Sequence, residues 1–150
     1  AVFPVSVVSG RSCEKLQDFL GIDMHIAGSH GLDIRSADGQ GKLHPVGKHA
    51  RQALQTAQAQ LDAELGSLPG YLTEDNTFCI SAHYRQVAPE QHQRVHDVVM
   101  QLLNGQSLLQ HKAGKMVHEL RPAVDWDKGK AVEWLLEHVQ NDAAGPLCAL

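Results

Sequence analysis

Residues 2–21 read VFPVSVVSGRSCEKLQDFLG, and this stretch decides the architecture. Val2 to Val8 is a nearly continuous apolar, β-branched run, the pattern of a strand covered on both faces in a parallel sheet. Pro4 stands near its start, where a strand tolerates proline. After SGRS, the segment EKLQDFLG has helical spacing and a glycine stop at Gly21. A buried strand that ends in Ser9-Gly10 and leads directly into a helix presents backbone N–H groups and a hydroxyl to an anion. Gly10 permits close backbone approach, and Arg11 adds a planar cation able to hold oxygen atoms in pairs. An SG pair is also an ordinary strand-to-helix turn, so this stretch alone leaves both readings open.

Outward from it, MHIAG (24–28) gives a second strand, and GLDI (31–34) and GKLH (41–44) flank the turn SADGQ (36–40) as a hairpin. Lys48 to Leu65 is helical, with Gly66 as its stop. TFCISAHYR (77–85) alternates as a half-buried strand, and Pro89 starts a helix whose inner face is Val95, Val98, Val99, Leu102 and Leu103. SLLQHKAGKMVHELRP (107–122) predicts two strands around a turn at Ala113–Gly114. A helix follows DWDKGK (125–130), and PLCAL (146–150) predicts a last buried strand. The expected organisation is an α/β core contributed by residues 1–31 and 123–150, with an α+β insert over 32–122. Both termini read as cut inside secondary structure, so the chain is expected to be a fragment of a longer protein.

The 150 residues fit one domain or two small ones, and 43% hydrophobic with 20% charged residues is ordinary for a globular chain. A formal charge of −4 with dispersed basic residues argues against nucleic acid as a partner. No apolar run approaches the roughly 20 residues of a membrane span. Cys13, Cys79 and Cys148 are far apart and odd in number, which predicts free thiols and a cytoplasmic location.

Lys128 poses the sharper question. Asp127 is the expected N-cap of the last helix, so Lys128 sits at its positive end, where a cation is unfavourable by roughly 0.3–1 kcal/mol. The position makes sense if a strong anion arrives there in the working protein. A solvated lysine offset by Asp125 and Asp127 is the plainer alternative. Two candidate anion sites at the ends of one sheet point together to phosphate. The insert adds GSHG (28–31), HYR (83–85) and HELR (118–121), whose Arg85, Glu119 and Arg121 are hydrogen-bonding groups of the kind a carbohydrate requires. Among the ten histidines, His92 and His96 have i, i+4 spacing but no HExxH glutamate and no cysteine pair, so no metal site is expected. Cys13 lacks a histidine partner and is expected to be inert. Asp33 and Glu74 receive no role.

Taken in order, VVSGR, AGSHGLDI, SAHYR, HELRP and WDKGKAVEWLL resemble the trehalose-6-phosphate phosphatases of the haloacid dehalogenase (HAD) superfamily, over essentially the whole chain. The resemblance implies a partial HAD-like Rossmannoid core with an inserted α/β cap. It implies that Ser9 hydrogen-bonds the transferring phosphoryl group, with Gly10 and Arg11 beside it, and that Lys128 bridges phosphate and nucleophile. It further implies that His30, Gly31, Arg85, Glu119 and Arg121 bind the sugar, that Mg²⁺ is the cofactor, and that trehalose 6-phosphate is the substrate. Fusion to, or association with, a trehalose-phosphate synthase is a further implication.

Two departures qualify it. The family's DxDGT-like motif, with nucleophile and general acid, and its GDDxTDE-like Mg²⁺ motif are not among these residues. The first is expected upstream of Ala1 and the second beyond Leu150, and the chain alone is expected to be inactive. Asn76 also stands where a lysine is common in relatives. The alternative reading is a non-catalytic sugar-phosphate-binding or regulatory domain of a trehalose-phosphate synthase. A related cap-bearing phosphatase for another sugar is a third reading, against which HYR and HELRP argue.

Overall fold

The apolar run before Ser9 forms β1 (Ser6–Val8), and Ser12 then caps α1 (Cys13–Leu20), its hydroxyl accepting from the Lys15 N–H at 3.4 Å. Gly21 ends that helix at φ 63°, a left-handed conformation that costs glycine nothing sterically. The chain returns as β2 (His25–Gly28), parallel to β1 with Val7 opposite Ile26. The helical crossover is what a parallel pair requires. The structure is a computed structural model that describes residues 5–37, 41–42 and 49–139. Its described residues form two units, one drawn from Ala1–Val46 and Asp125–Leu150, the other from Gly47–Val124.

In the first unit, β3 (Asp33–Arg35) and β4 (Gly41–Lys42) extend the sheet antiparallel, in the order β1-β2-β3-β4. Successive residues of β2 face opposite ways. Ile26 packs with Cys13 and Leu16 of α1, while Ala27 packs with Ile34, Ala131 and Leu135 under α4 (Lys128–Val139). A helix thus covers each face of the sheet.

The second unit is a four-stranded antiparallel sheet in the order β5-β6-β8-β7, with β5 at Leu72–Asp75, β6 at Ile80–His83, β7 at Leu109–Gly114 and β8 at Val117–Pro122. Two helices, α2 (Arg51–Leu65) and α3 (His92–Leu103), share one core with it. Leu54, Ala57, Leu61 and Leu65 recur at helical spacing on α2, and Val95 and Val99 lie one turn apart on α3. Along β8, buried His118, Leu120 and Pro122 alternate with Val117, Glu119 and Arg121. Leu120 joins the helix-side core, so Glu119 and Arg121 belong to the face that carries no helix of this unit.

Several expectations need correction. The insert, expected to begin at residue 32, begins later in the structure, because β3 hydrogen-bonds to β2 and stays with the first unit. Only β1 and β2 are parallel among the described strands of that unit. The tight turn between β7 and β8 falls at Lys115–Met116, two residues beyond Ala113–Gly114, and Met116 takes φ 62°. Strand β5 was not expected; its LTED sequence lacks an apolar alternation. Residues 2–4 of the first strand, the PLCAL strand and Cys148 lie outside the described residues.

Candidate functional site

At the carboxyl end of β1 and β2 the backbone is laced together. Ser9 N–H donates to Ala27 O at 2.9 Å, His30 N–H to Ser9 O at 2.8 Å, and Ser29 N–H to Arg11 O at 2.7 Å. These bonds hold three consecutive residues in left-handed conformations: Ser29 at φ 50°, His30 at φ 60° and Gly31 at φ 93°. The first two carry side chains, and each such residue costs of order 1–3 kcal/mol, which the surrounding bonds must offset. Gly10 admits the His30 ring, since a Cβ there would lie 2.7 Å from His30 Cε1. Ser9 Oγ accepts from the Arg11 N–H at 3.2 Å, so its own proton can be donated to a bound oxyanion.

The start of α4 meets the same loops. Trp126 Nε1–H donates to Gly31 O at 2.8 Å, and a Cβ on Gly31 would come within 2.3 Å of Ala131 Cβ. Asp127 caps the helix, its Oδ1 accepting from the Lys130 N–H at 2.9 Å. Lys128 is exposed immediately beyond that cap. The N-termini of α1 and α4, the Ser9 hydroxyl, Arg11 and Lys128 therefore gather at one end of one sheet. Helix N-termini and cations together favour an anion there.

Three carboxylates of this unit meet a cation, while the buried Asp33 Oδ1 has no hydrogen-bond partner among the described residues. Asp125 pairs with Lys130 Nζ at 2.6 Å, and buried Asp33 has Oδ2 at 3.4 Å from Arg35, which also binds Glu14. Within neither unit do three His, Cys, Asp or Glu ligand atoms of the described residues come together. These residues do not fit a Mg²⁺ site. Cys13 lies at the start of α1, a place that often acidifies a thiol, yet burial first and the Asp33 carboxylate second push it up to about 12. Burial likewise raises Cys79 to about 11. Both are free and buried.

On the helix-free face of the second unit, Arg121 Nη2 donates to Glu119. The pair is mostly buried, with side chains 14% and 21% exposed. Register sets Glu74, Ser81, Glu119 and Lys112 in one row across the four strands. His83 Nε2 lies 3.3 Å from Glu74 Oε2 on the same face. Arg85 stands apart from this group, at the β7–β8 turn, where Nη2 donates to Lys115 O at 3.5 Å. The structure thus brings Ser9, Gly10, Arg11, His30 and Gly31 together beside the start of α4, and pairs Glu119 with Arg121. The sequence reading gave no role to Trp126, quoted only as the first residue of the WDKGK motif, or to Ser29.

The profile of the trehalose-phosphatase family matches residues 2–149. The chain is 37% identical to probable trehalose-phosphate phosphatase 2 of Oryza sativa subsp. japonica, over 91% of this chain and 41% of that protein. It is 35% identical to the trehalose-phosphate phosphatase of Mycobacterium marinum, over 96% of this chain and 37% of that protein. The chain therefore spans about two fifths of the length of these relatives. Among solved structures, the C-terminal domain of C. albicans trehalose-6-phosphate phosphatase matches 90% of this chain and 48% of its own, with TM-score 0.71 and 20% identity. A trehalose-6-phosphate phosphatase related protein matches 87% of this chain and 56% of its own, with TM-score 0.76 and 18% identity. At these identities the likeness is one of fold: α/β, as in parts of HAD-like phosphatases.

Proposed function

The chain belongs to the trehalose-phosphatase family, and we propose that it carries the phosphate-gripping and sugar-recognising parts of a trehalose-6-phosphate phosphatase. The observation that carries this reading is the convergence of the Ser9–Arg11 loop, the Ser29–Gly31 loop and the start of α4 at one end of the first sheet. On this reading the Ser9 hydroxyl donates to the phosphoryl group, and Arg11 and Lys128 neutralise its charge. The second unit is the cap, and Glu119, Arg121 and Arg85 hold trehalose hydroxyls. His30 and Gly31 belong to the same sugar-binding set.

An aspartate from outside these residues attacks phosphorus, and a second aspartate protonates the leaving sugar oxygen; water then releases phosphate. The 150 residues alone do not complete that cycle. Mg²⁺, which family membership implies, finds no site among the carboxylates described above. A cytoplasmic location, and work beside or fused to a trehalose-phosphate synthase, belong to the same proposal. No helix among the described residues is long and apolar enough to cross a membrane.

The test is phosphate release by the full-length gene product from trehalose 6-phosphate and from sucrose 6-phosphate, with and without Lys128→Ala. Release with preference for the trehalose ester, falling by roughly 100-fold or more in the variant, is expected. Binding without release would make the chain a non-catalytic module. Steady release by the 150-residue chain alone would overturn the assigned roles.

A further inference from the structure

The second unit contains a cluster of imidazoles that phosphate and sugar chemistry leave unused. His118 of β8 is 5% exposed and stacks on Tyr84, with ring centroids 5.0 Å apart. His96 of α3 lies 5.4 Å from the His118 ring, and His111 of β7 lies 5.0 Å from it. His111 Nε2 and His118 Nδ1 are 2.9 Å apart. His92 meets the edge of Tyr84 at 5.1 Å, and its Nε2 sits 2.8 Å from Val87 O.

Two ring nitrogens at that separation share one proton. In the neutral pair one ring donates its N–H and the other accepts, so their tautomers are complementary. A first added proton leaves the bond intact, because a cationic ring can donate to a neutral one. A second sets two N–H groups against each other at the buried His118 ring, beside half-buried His111 and exposed His96.

Among the described residues, the groups that meet these rings carry no carboxylate. Across the sheet His118 is paired with Ala82 of β6 and Ala113 of β7. The groups facing it are His96 from α3, His111 from β7 and Tyr84 after β6. On α3, Arg94 donates to Glu64 O and Asp97 accepts from Gln93. On α2, which also packs on β8, Arg51 pairs with Asp75, Asp62 accepts from Thr73, and Glu64 is exposed. Nor do the three imidazoles converge as metal ligands would: among the described residues, no three ligand atoms of one unit lie within 4.8 Å of one another.

We infer that His96, His111 and His118 form an acid-sensitive latch, which when uncharged clamps α3 onto the β7–β8 hairpin and when multiply protonated releases it. Burial first, then the charges of His111 and His96, push His118 down to about 4; burial and His96 also lower His111. Folded-state values below the ordinary 6.5 mean that the unfolded chain binds these protons more readily. The stabilisation is therefore complete above about pH 6.5 and is lost progressively as pH falls towards 4. The latch does not depend on which sugar phosphate the chain takes.

Native-state hydrogen exchange of the 150-residue chain between about pH 7.5 and 4.5, corrected for intrinsic rates, tests it. Opening of the α3 and β7–β8 amides is expected to rise by roughly 100-fold in the native sequence. His111→Gln removes a half-buried titrating ring but keeps an amide that can donate to His118, and it is expected to reduce that rise only in part, because the burial of His118 remains. His118→Phe keeps the stack on Tyr84 and is expected to flatten it. An acid response that both variants share unchanged overturns the latch. So does a His118 ring that titrates at its ordinary value in the folded chain, read by NMR.

Discussion

Trp126 Nε1–H donates to the Gly31 carbonyl across 2.8 Å, joining positions 95 residues apart in the chain. This bond fastens the start of α4 to a loop held in left-handed conformations, and so helps keep Lys128 at the carboxyl end of β1 and β2. Trp126→Phe retains an aromatic ring but removes the donor, and should cost about 1–2 kcal/mol in urea unfolding. Gly31→Ala should cost more, about 2–4 kcal/mol, because a Cβ at φ 93° would also meet Ala131 at 2.3 Å. Equal, negligible losses would show that the loop adjusts without strain.

Lys128→Ala separates function from stability. The lysine opposes the α4 dipole, so its removal should leave unfolding unchanged or raise stability by about 0.3–1 kcal/mol. Binding of inorganic phosphate, followed by calorimetry, should nevertheless weaken. Asp127→Ala should do the reverse in stability, costing about 1 kcal/mol through the lost cap on the Lys130 N–H. Should Lys128→Ala destabilise the fold by as much as Asp127→Ala, the lysine is structural.

Glu119→Gln leaves Arg121 without its anionic partner in a mostly buried pair. The expected stability loss is about 1–3 kcal/mol. Trehalose binding should weaken, while phosphate binding, proposed for the other unit, should not change. Calorimetric titrations with each ligand separately would show the difference.

Much of this site was legible because its signals are local. A β-branched run into Ser9-Gly10, a helix stop at Gly21 and an Asp-Lys-Gly helix start each follow from backbone chemistry at that position. Ser9, Gly10 and Lys128 could therefore be singled out before any fold was known. The Trp126–Gly31 bond could not, because it depends on how two distant segments pack. Strand β5 escaped for another reason: Thr73 and Asp75 have polar partners, Asp62 and Arg51, rather than an apolar face. The β7–β8 turn was displaced by two residues because Met116, not a glycine, takes the left-handed conformation. The imidazole cluster was invisible for the same reason as the indole bond, since His96, His111 and His118 come from three elements.

The thiols carry a pH prediction of opposite sign to the histidine latch. Cys13 rises from an ordinary 9.0 to about 12, and Cys79 from 9.0 to about 11. A raised thiol value means the unfolded chain loses its protons first, so this contribution is complete below about pH 9 and declines as pH rises towards 12. At pH 8 both should resist alkylation in the folded chain and react roughly 100-fold faster in urea, read by mass spectrometry of each peptide. Fast native alkylation at Cys13 would show that the α1 N-terminus wins over burial.

The most direct test of the proposed function is NMR of the 150-residue chain titrated with inorganic phosphate, trehalose and trehalose 6-phosphate. Phosphate should shift the amides of Ser9, Gly10, Arg11, His30 and Lys128; trehalose should shift those around Ser81, Glu119 and Arg121. The ester should shift both sets, and more tightly than either part. Phosphate that leaves residues 9–11 and 128–130 unmoved, with an ester that binds no better than free trehalose, would contradict the phosphate site.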